Sequence, residues 1–157
     1  MQRWRLSGLD PARFEPLFRL PEEALARLGA LRRTADEDFG FPCRIGLEDA
    51  PVGAELLLLP HEHHAVGSPY RASGPIFVRR GAVRRELEAG ELPPYVTRRM
   101  ISLRAYDRGA MMIDAAVCEG VDAGAALDEM FTDRAVAYVH LHNAKRGCYS
   151  CCAHRIG

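Results

Sequence analysis

The chemically densest stretch of this 157-residue chain is His140-Leu141-His142-Asn143-Ala144-Lys145-Arg146-Gly147-Cys148. Read as the end of a strand, it places His140 and His142 on one side, because alternate residues of a strand share a face. Two imidazoles so placed suit either two metal ligands or an anion. In the metal reading the set is His140, His142 and Cys148, zinc or another transition ion is the expected occupant, and further ligands come from His61, Glu62, His63, Cys151 or Cys152. Cys148-x-x-Cys151 has the spacing of half a zinc knuckle, without the second pair that usually completes one. The plainer alternative packs one histidine against backbone and leaves Cys118, Cys151 and Cys152 as inert core thiols.

A second cluster is Ser68-Pro69-Tyr70-Arg71-Ala72-Ser73-Gly74-Pro75. As a tight loop it would offer backbone N–H groups, hydroxyls and a guanidinium to a carboxylate or phosphate, although no Walker or dinucleotide glycine pattern is present. The third, Phe41-Pro42-Cys43-Arg44, sets a thiol beside a guanidinium. The favoured reading is a pocket for a small anionic molecule, lined by Cys43, Arg44, Tyr70, Arg71, Ser73, Arg79, Arg104, Asn143, Lys145 and Cys148. In it Arg71, Arg79 and Arg104 hold the anion, and His140 or His142 acts as base or orienting donor. Two alternatives stand beside it: the metal site, and a non-enzymatic interaction module whose polar motifs are internal networks that specify the fold.

The elements that must carry these groups are short. Trp4 to Leu9 reads as a strand, Pro21 to Gly29 as a proline-started and glycine-stopped helix, and Leu31 to Ala35 as a returning strand. Glu55 to Leu59 is apolar on both faces, as a central strand is, and Pro60 is expected to end it. Pro75 to Arg79 follows with Ile76 and Val78 on one face. Ile101 to Asp107 and Met111 to Cys118 both alternate, with Met111, Ile113, Ala115 and Val117 as the apolar side of the second. A three-residue loop Asp107-Arg108-Gly109 would join them as a hairpin in which Ser102 faces Asp114.

Asp122 is the expected N-cap of a helix whose Ala123, Ala126, Leu127, Met130 and Phe131 make one buried stripe. Val136 to His142 then forms a strand, with Tyr138, His140 and His142 on one face. A crossover from Met111 to His142 would make the sheet mixed. The fold class expected is α+β, one domain over 1–157, with a central mixed, largely antiparallel sheet and short helices mainly on one face.

Composition bounds the function. The chain is 48% apolar and 27% charged, with 21 Lys+Arg balancing 21 Asp+Glu. Bulk attraction to nucleic acid is therefore not expected, and no apolar run is long enough to span a membrane. A polar N-terminus without a signal-peptide core suggests a cytoplasmic protein, in which five cysteines are thiols rather than a disulfide framework. Lys145 is the sole lysine, so arginines must be judged by position and not by number.

Taken in order, Phe41-Pro42-Cys43-Arg44, Ser68 to Arg79, Ser102-Leu103-Arg104-Ala105-Tyr106-Asp107 and His140-x-His142-Asn143-Ala144-x-x-Gly147-Cys148 resemble the bacterial family catalogued as domain of unknown function 1203. The resemblance covers nearly the whole chain and implies a single-domain fold. It brings no reaction, cofactor or catalytic residue with it, and Cys151 and Cys152 lie outside its pattern.

Overall fold

The computed structural model describes residues 2–157. The class is α+β, but the strands form two five-stranded sheets where the sequence suggests one. The first sheet has the order β1-β10-β9-β7-β8, from β1 (Trp4–Ser7), β7 (Met100–Tyr106), β8 (Met112–Glu119), β9 (Tyr138–Asn143) and β10 (Tyr149–Arg155). All its pairings are antiparallel. The second has the order β2-β5-β6-β3-β4, from β2 (Leu31–Thr34), β3 (Pro42–Cys43), β4 (Glu48–Asp49), β5 (Glu55–His64) and β6 (Ala72–Arg79). It is the mixed one, because β3 runs parallel to β6.

The expected crossover is thus rerouted. β8 and β9 run the same way but are separated by β7, antiparallel to both, and α3 (Ala123–Met130) connects them across it. Helix α3 presents the anticipated stripe: Ala123, Leu127, Met130 and Phe131 are buried with Ile101, Leu103, Val139 and Leu141 in the larger core. Asp122 makes no side-chain cap, because its helical backbone angles already place it inside a 3-10 turn, Gly120–Asp122. The helices are not confined to one face of one sheet. α1 (Glu22–Arg27) and the turns before it bring Leu25, Phe14 and Phe18 onto Leu57, Leu59, Ile76 and Val78 of the second sheet.

Two corrections bear on the site. Pro60 does not end its strand: β5 continues to His64, and Pro60 lies opposite Pro75. Two prolines can face each other only at a non-hydrogen-bonded pair, where both missing N–H groups point away from the shared ladder. The neighbours on those outer sides, β2 and β3, pair no further than Leu58 and Phe77, so no hydrogen bond is lost. This extension, still paired with β6 at His61 and His64, brings His63 and His64 against the first sheet. β6 likewise starts at Ala72, so only Ser68 to Arg71 of the second motif is a turn.

The β7–β8 hairpin takes a different register. Ser102 pairs with Val117 and Arg104 with Ala115, not Ser102 with Asp114. The loop runs one residue further, with Ala110 rather than Gly109 in the left-handed conformation (φ 61°), and a bulge follows at Ala105/Tyr106. Asp107 makes this possible by accepting from the N–H groups of Gly109 and Met111. The face of β8 is therefore reversed: Ala116 and Cys118 pack on the core, while Met111, Ile113 and Val117 are exposed on an edge strand. Among the described residues no helix is long and apolar enough to cross a membrane.

Candidate functional site

Strand β9 delivers what its alternation predicts: Val139 and Leu141 enter the core while Tyr138, His140 and His142 face the other way. The extended end of β5 meets that face. His63 stacks on Tyr149 (5.3 Å between centroids, 14° between planes) and lies 5.1 Å from His142, edge to face. His64 packs 4.2 Å from Tyr106 and 5.0 Å from His140. Its Nδ1–H donates to the Tyr70 carbonyl at 2.8 Å, so its Nε2 accepts from the Tyr138 hydroxyl at 2.6 Å. His142 donates from Nδ1 to the Gly147 carbonyl at 2.9 Å, which fixes Nε2 as the atom with the lone pair.

Burial, reinforced by the neighbouring histidines, holds His63, His140 and His142 neutral. His63 is pushed down to about 4 by burial, then His61, His64 and Arg104, and His140 to about 2 by burial and the surrounding histidines. His142 falls to about 4 by burial, against the opposing pull of the Gly147 hydrogen bond. Burial likewise pushes Tyr138 up to about 12, so its hydroxyl keeps its proton and remains a donor to His64.

Beside this cluster opens a cleft of about 1160 Å³, walled by Phe41 and by Pro42 of β3, by Ser73 to Phe77 of β6, by Arg98 to Met100, and by Asn143 and Lys145 to Tyr149. Three of the four sequence motifs meet here. Arg44 is only 2% exposed, and its guanidinium donates to the Tyr149 carbonyl (2.8 Å), the Pro42 carbonyl (2.7 Å) and Cys148 Sγ (3.2 Å). Among the described residues no carboxylate pairs with it. Gly8 lets the backbone at Arg44 sit this close to β1, since a Cβ there would collide with the Ile45 carbonyl. Asn143 donates to the same Cys148 sulfur at 3.7 Å, leaving its buried Oδ1 without a partner.

Other predicted residues go elsewhere. Cys43 is fully buried in the second core and accepts from the Arg79 N–H at 3.3 Å. Arg71 is engaged by Glu62 through two bonds of 2.8 and 3.1 Å. Arg79 pairs with Glu48 at 3.6 Å and borders a separate shallow depression of about 410 Å³ with Arg80, Arg84 and Arg85. Tyr70 serves His64 through its backbone, with its ring 6.1 Å from that of Tyr106. Arg104 stands on β7 opposite His140, with a long 3.4 Å contact to Ser102. Of the predicted ligand-lining residues, Arg44, Ser73, Asn143, Lys145 and Cys148 reach the cleft.

Cys151 is pushed up to about 12 by burial and Cys152 is also buried, which opposes the thiolate form that a metal ligand needs. Among the described residues no three His, Cys, Asp or Glu side chains are already grouped to hold a metal. Sequence reasoning missed Arg98, Arg99 and Arg146 on the cleft wall. Arg98 lies 4.2 Å over the Phe39 ring, and Arg99 is clamped on Asp49, whose carboxylate is 2% exposed. The readable signal for the histidine cluster was His61-Glu62-His63-His64 itself, which matches β9 in imidazole density.

A family model described as a protein of unknown function (DUF1203) matches residues 40–155, which include every residue of the histidine cluster and every cleft residue but Glu37 and Phe39. No curated protein and no solved structure matches the chain.

Proposed function

We propose, from the premise that the chain belongs to the DUF1203 family, whose own description assigns no activity, that the cleft between the two sheets binds a small anionic molecule. The observation that carries this reading is Arg44, a buried guanidinium at the cleft wall with no carboxylate partner. Its hydrogen bonds are satisfied by carbonyls and a sulfur, but its charge is not neutralised, and an unpaired buried charge is costly unless a counter-charge arrives. The cleft adds Arg98, Arg99, Lys145 and Arg146 against Glu37 and Glu119. Asp49 offsets part of the Arg98 and Arg99 charge from behind. Lys145 and Arg146 form no ion pair among the described residues, and they stand at the rim where an anion would enter.

A local positive field thus coexists with zero net charge. Asn143 Oδ1 asks in addition for a donor, which favours an anion bearing a hydroxyl or a protonated oxygen. The volume argues against the interaction-module reading, which requires no ligand-sized hollow at the motifs.

The test is thermal unfolding in inorganic phosphate, citrate or chloride at matched ionic strength. Phosphate or citrate should raise Tm by several degrees, since an anion at ~100 times its Kd contributes about 2.7 kcal/mol. The double substitution Lys145→Glu with Arg146→Glu, at exposed positions, should leave Tm in chloride nearly unchanged and abolish the anion-dependent rise. An equal rise in the variant, or none in the wild type, contradicts the reading.

A further inference from the structure

Three imidazoles from two strands meet beside the cleft: His63 from β5, which lines it, and His140 and His142 from β9, which pack behind His63. Their ring centroids are 5.1 Å (His63–His142), 6.1 Å (His63–His140) and 6.3 Å (His140–His142) apart. Each has a buried nitrogen without a hydrogen-bond partner: His63 Nδ1, His140 Nδ1 and His142 Nε2. A buried polar atom left unpaired is costly, and three on neighbouring rings point to a common missing partner rather than to chance. On His142 the orphan is a lone pair, because Nδ1–H is committed to the Gly147 carbonyl. That arrangement, one ring nitrogen oriented by a backbone carbonyl and the other free, is the one metal-ligating histidines adopt.

The charged groups that act on the three rings are Arg44 and Arg104, with no carboxylate among the described residues. Calcium and magnesium, which require oxygen ligands, do not fit such a set. Neutral imidazoles suit a transition ion. Rings sharing a zinc at ~2.0–2.1 Å have centroids roughly 5 Å apart, so His63 and His142 already have the spacing and the two pairs with His140 are about 1 Å wide of it. His63, in the bulge between His61 and His64 where the ladder to β6 is broken, is free to close on His140, and a turn of the His140 ring, whose Nδ1 no hydrogen bond holds, closes the distance to His142.

We propose that His63, His140 and His142 close on one divalent transition-metal ion, with the remaining coordination position on the cleft side. Because Arg44 and Arg104 make the surroundings cationic, that position takes hydroxide or an anion in preference to a neutral ligand. The rings are already neutral at pH 7, so the metal displaces no proton from them. This site does not depend on the anion reading, and its test contains no phosphate or carboxylate.

The full chain, stripped with a chelator, is titrated with cobalt(II) chloride and followed by visible d–d absorption. One cobalt per chain should bind saturably, with bands of low-symmetry intensity that zinc abolishes. His63→Asn should weaken binding by ~100-fold or more, while His61→Asn, at a neighbouring ring outside the trio, should bind as the wild type does. A thermal melt in chloride confirms that His63→Asn is folded, and the half-exposed position of His63 makes that variant decisive even where a change at buried His142 prevents folding. No saturable cobalt band, or unchanged binding by His63→Asn, overturns the proposal.

Discussion

Arg44 and the histidines show how the same physical term, the cost of burying charge, is resolved in opposite ways. A guanidinium cannot lose its proton, so Arg44 stays charged and is held by two carbonyls and a sulfur. An imidazole can lose its proton, so the cluster is neutral. The linkage sign follows. His63 and His142 have folded values near 4 against an ordinary 6.5, so below 6.5 the unfolded chain takes up protons that the folded chain refuses. The stability they contribute is complete above 6.5 and is lost as pH falls toward 4, with His140 extending the loss to about 2. For His142 the term is on the order of 3 kcal/mol. Urea unfolding of chelator-treated protein should therefore show a stability that drops steeply as pH falls from about 6.5 to about 4, and His142→Gln should flatten the slope. A slope unaltered in that variant would mean that His142 is not held neutral by burial.

At the scale of elements, what was legible was alternation within one strand, and what was not was pairing between strands. Val139/Leu141 against His140/His142, Ile76/Val78 against Phe77, and the α3 stripe are all periods of a single element, and they are as the sequence suggests. The β7–β8 register depended on a loop whose geometry was set by Asp107 capping two amides and by Ala110 adopting a positive φ, a conformation that sequence reasoning assigns to glycine. Pro60 was misread for a related reason: whether proline breaks a strand depends on what lies opposite, and Pro75 could not be known to lie there.

The register has a direct check. Val117, 63% exposed, should tolerate Val117→Asp within ~0.5 kcal/mol, whereas Ala116→Asp drives a carboxylate into the core and should cost more than ~2 kcal/mol. Equilibrium denaturation of the two variants measures both, and the reverse order of losses would restore the three-residue loop.

At the scale of the molecule, the proposed function rests on the seam between two sheets that the sequence presents as one. Each motif is incomplete alone: the residue after β3 is Arg44, β6 brings Ser73, the end of β9 brings Asn143, and the turn after it brings Lys145 and Cys148. Only the long reach of β5 past Pro60 places His63 beside them. The motif composition therefore announced a polar site, while Arg71 and Arg79, attractive in sequence, are consumed by Glu62 and Glu48.

The fold offers a built-in contrast, because the shallow depression at Arg79, Arg80, Arg84 and Arg85 is also basic but its arginines lie against Glu48, Glu55, the Gly8 carbonyl and Glu91. The most direct test is a citrate titration followed by amide chemical shifts of the uniformly nitrogen-labelled chain. The account predicts saturable shifts concentrated on Arg44, Arg98, Arg99 and Asn143 to Tyr149. Shifts that are absent, or that centre on Arg79 to Arg85, would contradict it.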